Sequence, residues 1–332
     1  MGEFRRGLRG PLAPLLPVVG ATGDGFDALR LLDADGLVRD ALEDLCREHL
    51  VPQVALTRHW PWARVRAEQE EQRLHEVLRR LESTEYRRAR ALLASNPAGP
   101  VGVLRRTWNT LWMRFDFFEA ISDWPWCQLD GWWYPCPMCQ WPMRVTRRSG
   151  EVEVRCEAHR ARGVYYRVSA ESTGAGMAPL LVGAGKRSDA VPGLPASSDH
   201  LALSRPVWRY GTLPTLLEIE LRDALEGLAY VQLEMWPGDP HPDEYDVKIT
   251  ISVPGRRPKI FRVDAKAWES VGALARALLE KDPKPYPVTI VLPDHQGHEV
   301  EYLKARLAGR KVTVTTLTRL VARVRKLSEG AQ

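Results

Sequence analysis

Two sets of residues in this chain have the types and spacing to do chemistry. The first is Cys136-Pro137-Met138-Cys139, followed after sixteen residues by Cys156-Glu157-Ala158-His159, a C-x2-C…C-x2-H pattern. Each pair makes a tight knuckle that presents two ligands, and two knuckles complete the tetrahedral set that zinc takes in structural sites. Four protein ligands close such a site, so reaction at this metal is not expected. Two other readings stay open: a redox pair at Cys136 and Cys139 behind Trp133-Tyr134-Pro135, and Cys127 in place of His159 as fourth ligand. No βαβ pattern follows the first pair and a second ligand pair does, which favours the metal.

The second set is Asp246, Asp264 and Lys266. Val247, Ile249, Ile251 and Val253 alternate with Asp246, Lys248, Thr250 and Ser252, and Phe261, Val263 and Ala265 alternate with Arg262, Asp264 and Lys266. Period-2 alternation of β-branched residues around a Pro254-Gly255-Arg256-Arg257-Pro258 turn predicts a β-hairpin. If residues 254–258 form the loop, Lys248 faces Asp264 and Asp246 faces Lys266, with opposed Cβ atoms about 4.5–5.5 Å apart. Acidic and basic groups then gather on one polar face. A solvated salt-bridge ladder has the same pattern, so the spacing alone does not separate the two.

Composition limits the setting. The 332 residues carry a net charge of +5, largely through arginine, which permits a polyanionic partner without requiring one. Length predicts two to three domains. No apolar run can span a bilayer, residues 1–17 are basic but broken by Gly and Pro, and five cysteines do not make a disulfide framework, so a cytoplasmic protein with no membrane partner is expected. There is no phosphate-binding G-x-x-x-x-G-K-[ST] loop, no G-x-G-x-x-G and no G-x-S-x-G.

The positioning elements follow from periodicity. Residues 1–120 read as a helical domain, with apolar stripes through residues 24–45, 64–94 and 101–121; packing or docking is favoured there over direct nucleic-acid contact. Residues 121–170 hold the ligand knuckles and two short strands, 143–146 and 152–155, which is the layout of a zinc ribbon. Trp124, Trp126, Trp132, Trp133 and Trp141 crowd around it, as a small core or as platforms for bases, with the core favoured. Residues 171–205 are rich in Gly, Ala, Ser and Pro and predict a flexible linker. In residues 206–332 a helix over 215–233 is expected to open with a Thr215/Glu218 capping box. The hairpin, a helix 267–279, a strand 287–292, a helix 299–307, a strand 311–315 and a helix 317–327 follow. His295 and His298 read as a polar turn.

At Asp246…Asp264-Ala265-Lys266 the chain resembles the PD-(D/E)xK nuclease superfamily, the restriction-endonuclease-like fold, over about residues 206–325. In that family an aspartate opens one strand, D/E-x-K lies on the next, and a glutamate often sits on the preceding helix. Asp246, Asp264 and Lys266 match the motif, and Glu218 matches the helix glutamate, with Glu220 and Glu226 as substitutes. A literal Pro242-Asp243 lies just upstream, but Asp246 fits the strand start better. A third strand ahead of the hairpin is not obvious unless residues 230–235 supply it.

The resemblance implies an α+β multidomain chain: an N-terminal helical region, a zinc ribbon, and a C-terminal α/β/α restriction-endonuclease-like domain with a mixed sheet. It implies a catalytic Mg²⁺ or Mn²⁺ held by Asp246, Asp264 and the Ala265 carbonyl. Lys266 would orient water or steady the phosphate, Glu218 would complete the metal sphere, and DNA would be the substrate. An inactive nuclease-like binding subunit is the alternative. The combination with a ribbon and a helical N-terminus also resembles the endonuclease component encoded beside prokaryotic PIWI-like proteins in phage-defence islands, which implies a PIWI-like protein and a helicase as partners.

Overall fold

The computed structural model describes residues 60–108, 115–148, 151–169, 176–184, 191–238, 245–268 and 271–329; the helix expected within 24–45 lies outside them. The chain is mixed α/β with several sheets. It divides into two units. Met1–Ala67, Trp268–Pro283 and Glu301–Arg310 form one, and Glu68–Ala267, Lys284–Val300 and Lys311–Gln332 form the other, which carries both residue sets.

The helix expected over 64–94 is two helices, α1 Trp60–Arg79 and α2 Ser83–Ser95. On α2 the buried residues Tyr86, Ala89, Arg90, Leu93 and Ala94 share one face, and Arg90 is a cation within that apolar stripe. Strand β1 (Ala98–Pro100) leads into α3, Val101–Trp108. Instead of the helix predicted up to residue 121, Phe115–Phe117 form a 3-10 turn and Phe118–Ala120 form strand β2. Consecutive aromatics favour a pleated surface once a partner strand is at hand.

The ligand-bearing region adds β3 (Trp132–Trp133) and an antiparallel meander of β4 (Arg144–Arg148), β5 (Glu151–Arg155), β6 (Tyr165–Val168) and β7 (Leu181–Gly183). β8 (Leu194–Pro195) pairs with β3, and β9 (His200–Leu203) lies between β1 and β2. The expected flexible linker over 171–205 is therefore corrected: its described parts hold three strands. Gly, Pro and Ser report weak local preference, whereas these short strands are fixed by partners distant in sequence.

The segment after β9 turns helical at Arg205–Val207, passes through a π-helical stretch Trp208–Thr212, and continues as α4, Leu213–Leu225. The expected Thr215/Glu218 capping box is absent. Helix is already established before Thr215, whose hydroxyl donates to the Gly211 carbonyl at 2.8 Å. Nor does the helix reach residue 233. Gly227 takes φ +79°, and residues 231–235 alternate inward and outward as β10, Val231–Met235.

β10 is the first of five strands in order β10-β11-β12-β13-β14, with β11 Val247–Ile251, β12 Lys259–Ala265, β13 Val288–Leu292 and β14 Val312–Thr316. β10, β11 and β12 pair antiparallel; β12, β13 and β14 pair parallel. α5 (Val271–Glu280) precedes β13, α6 (Val300–Arg306) precedes β14, and α7 (Leu317–Glu329) follows it. Every residue of β13 is buried, as expected of a central parallel strand. In the other unit, Arg310 donates to the carbonyls of Lys281 at 2.8 Å and Leu279 at 2.6 Å, satisfying acceptors at the end of α5.

The hairpin register differs from the expectation. Ile251 pairs with Lys259, Lys248 with Arg262 and Val247 with Val263, so Lys248 does not face Asp264; the ladder ends there, and the Asp246 N–H donates to the Val263 carbonyl at 2.9 Å, so Asp246 does not face Lys266. The loop spans 252–258, two residues longer than the turn residues indicated. A two-residue slip keeps every side chain on its face, so the apolar pattern accommodates both registers. Val247, Ile249, Ile251, Phe261, Val263 and Ala265 bury against Leu217, Leu221 and Leu225 of α4 and Leu317, Leu320, Val321 and Val324 of α7.

Candidate metal centre and candidate active site

Cys136 and Cys139 sit on a turn closed by the Gln140 N–H donating to the Cys136 carbonyl at 2.8 Å and the Cys136 N–H donating to the Trp141 carbonyl at 2.9 Å, with Gln140 at φ +57°. Cys156 follows β5 directly. Its N–H donates to the Val164 carbonyl at 3.1 Å, and the Val164 N–H returns to the His159 carbonyl at 3.0 Å. The two turns bring four buried ligand atoms within 4.8 Å of one another. Cys136 Sγ and Cys156 Sγ lie 3.5 and 3.3 Å from His159 Nδ1, and Cys139 Sγ lies 3.8 Å from Cys156 Sγ.

This buried Cys3His set could hold a metal such as zinc. Burial pushes the Cys139 and Cys156 thiols up; Cys136, equally buried, is held down by hydrogen bonds with Cys139, Cys156 and His159. A divalent cation relieves that conflict, since it lets several thiolates share one apolar volume. Cys127 is no ligand: its thiol donates to the Trp124 carbonyl at 3.2 Å, and burial raises its pKa to about 12. The tryptophans build core. Trp133 and Trp141 are buried, and Trp141 stacks on Trp208 with centroids 4.1 Å apart and 10° between planes.

On the sheet, Asp246 ends the loop into β11 and Asp264 lies near the end of β12. The buried Asp246 accepts the Ala265 N–H at 2.5 Å, and Lys266 Nζ donates to Asp264 Oδ1. Burial works against the Lys266 charge, but Asp264, Asp246 and Glu218 outweigh it and hold the ammonium well above the usual lysine range. Asp264 and Asp246 of the second set, joined by Glu218 of α4, thus all act on Lys266.

Glu218 faces inward from α4 at 1% exposure. Arg90 Nη2 donates to both of its oxygens, at 2.7 and 2.8 Å, and Trp236 Nε1 donates to Oε2 at 2.5 Å. Of the substitutes, Glu220 accepts a fork from Arg162 at 2.9 and 3.0 Å, and Glu226 is exposed. Pro242 and Asp243 lie outside the described residues. Near His295, Asp294 accepts from the Thr318 N–H at 3.0 Å and hydroxyl at 2.5 Å, capping α7. Arg90 and Trp236 are the residues the sequence reading missed. Arg90 had a signal, as the one cation on the buried stripe of α2.

Residues 215–332 match the family model described as "REase associating with pPIWI_RE". The match begins one turn before Glu218 and takes in Asp246, Asp264 and Lys266. No curated protein and no solved structure matches the chain.

Proposed function

We propose that this chain is a divalent-metal-dependent endonuclease of PD-(D/E)xK type that cuts DNA, works beside a PIWI-like partner in phage defence, and carries a structural zinc in a ribbon built on Cys136, Cys139, Cys156 and His159. The observation that carries the reading is the convergence of Asp246, Asp264 and Lys266 at one end of the β11–β12 pair, within the region matching the REase family model. The β10 strand supports it further, since it supplies the third strand before the crossover helix.

The donor set fits a hard cation: two carboxylates at one end of the β11–β12 ladder, Asp246 bonded to the Ala265 N–H, with the Ala265 carbonyl between Asp264 and Lys266. A cation held there would supply Lewis acidity at the scissile phosphate and relief of charge developing on it. Asp246 and Asp264 hold and orient. Lys266 stays charged at neutral pH, so it steadies phosphate or directs water as a donor and is no proton acceptor. Glu218, gripped by Arg90 and Trp236, adds its negative charge to the larger effect of Asp264 and Asp246 in favouring the Lys266 ammonium.

The test is cleavage of supercoiled, linear and single-stranded DNA by the full chain with Mg²⁺ or Mn²⁺. Asp264→Ala is expected to cost at least about 100-fold, the scale of several kcal/mol of lost charge stabilisation; full activity in that variant sinks the site. The engagement of both Glu218 oxygens favours a second reading, an inactive nuclease-like DNA-binding subunit. DNA binding without cutting, with metal and the PIWI-like partner supplied, would establish it.

A further inference from the structure

The metal centre and the sheet are joined by one helical run, residues 205–225. At its start Arg205 Nε donates to Glu157 Oε2 at 2.9 Å, and Glu157, with only 4% of its side chain exposed, lies between the ligands Cys156 and His159. Arg144 approaches the other Glu157 oxygen at 3.6 Å. One residue turn further on, Trp208 stacks on Trp141, which closes the first knuckle through its carbonyl and donates its indole N–H to the Leu203 carbonyl at 2.9 Å. Thirteen residues after His200 the run becomes α4, and there Arg162, from the turn following His159, grips Glu220. Glu218 stands two residues earlier, on a different side of the helix, and points to Arg90 and Trp236.

We infer that the Cys3His centre anchors the 205–225 run, so that Trp141, Glu157 and Arg162 are positioning residues for Glu218 and, through it, for the carboxylate–lysine site. Two of the three links belong to the ligand knuckles themselves, because Glu157 and Trp141 sit where they do only while the knuckles are closed. The buried links carry the coupling: an ion pair within the second knuckle and a stacked indole pair in the core. The Arg162–Glu220 fork, with side chains 30% and 40% exposed, contributes little in comparison. The π-helical stretch Trp208–Thr212 marks where the run passes from metal centre to sheet. Its Thr212 hydroxyl donates to the Leu93 carbonyl of α2 at 2.7 Å, so movement of the run is felt at the helix that carries Arg90. The inference rests on the proposed nuclease for its activity arm alone.

Hydrogen exchange on the full chain, with the thiolate-bound metal present or removed by a chelator, tests the structural arm. Amides of 213–225 are expected to lose protection on metal removal while those of 288–292 keep theirs; unchanged protection over 213–225 overturns the inference. Should the whole chain unfold without metal, Trp208→Leu and Arg205→Gln decide, since neither touches a ligand. With one metal retained per chain, each is expected to loosen 213–225. Each is also expected to raise the Mg²⁺ concentration for half-maximal cleavage about tenfold, equivalent to about 1.4 kcal/mol, with a smaller change in the rate at saturating Mg²⁺. Wild-type exchange and wild-type Mg²⁺ dependence in both would refute it. If the wild type never cuts, the exchange result still stands or falls by itself, which separates this failure from that of the nuclease reading.

Discussion

Lys266 is held as a cation more firmly than a free lysine, and that fixes its pH behaviour. Its pKa is raised in the fold because Asp264, Asp246 and Glu218 outweigh burial. A raised folded value stabilises below the free lysine pKa of about 10.4 and loses that effect only as pH rises through the folded value. The stability difference between wild type and Lys266→Met should therefore stay flat from pH 6 to pH 9, measured by urea titration; a slope in that window would contradict the assignment. Glu218 makes the opposite demand. Arg90→Met leaves its carboxylate buried without a counter-ion, expected to cost about 3–5 kcal/mol, whereas Arg90→Met with Glu218→Leu should recover most of that loss. The Asp246, Asp264 and Lys266 pattern was legible because D-x-K and strand alternation are local. Arg90 left only the trace of a cation on an apolar stripe, and the role could not be read from it, because its partner lies 128 residues away and an arginine in a helix ordinarily reads as surface.

At the scale of elements, what the sequence revealed followed the range of the forces involved. The parallel strands 288–292 and 312–316 and the helix from 317 appear within a residue or two of expectation: the first strand is buried throughout, the second alternates Val with Thr, and the helix carries its own apolar stripe. The hairpin faces were also legible, but its register was not: alternation fixes which side a residue occupies and says nothing of slips by two. β10, offered by the sequence only as an alternative over 230–235 within a stretch read as helix to 233, is the strand that forms after Gly227. The Asp294 cap on α7 yields a clean test. Burial raises the Asp294 pKa, but hydrogen bonds from Thr318 outweigh this and leave it lowered, so its stabilisation is present at neutral pH and lost as pH falls through the folded value. Asp294→Ala should cost about 1 kcal/mol at pH 7, and the gap between thermal melts of the two proteins should begin to close only below about pH 4.

Across the chain as a whole, no helix among the described residues is long and apolar enough to cross a membrane. Strands 181–183, 194–195 and 200–203 tie the segment expected as a linker back to β6, β3, β1 and β2. Composition misled there because Gly and Pro describe local freedom and not the reach of pairing. The buried bond between Arg90 and Glu218 carries a practical lesson for anyone dissecting this protein. The boundary suggested by sequence similarity, near residue 215, falls between the two halves of an ion pair. A recombinant piece spanning 206–332 would retain the acid and discard its counter-charge, along with the core that shields Trp236. It should be poorly soluble or unfold early on heating, and Glu218→Leu within that piece should improve it. A piece that melts like the intact chain would show that the cut is harmless.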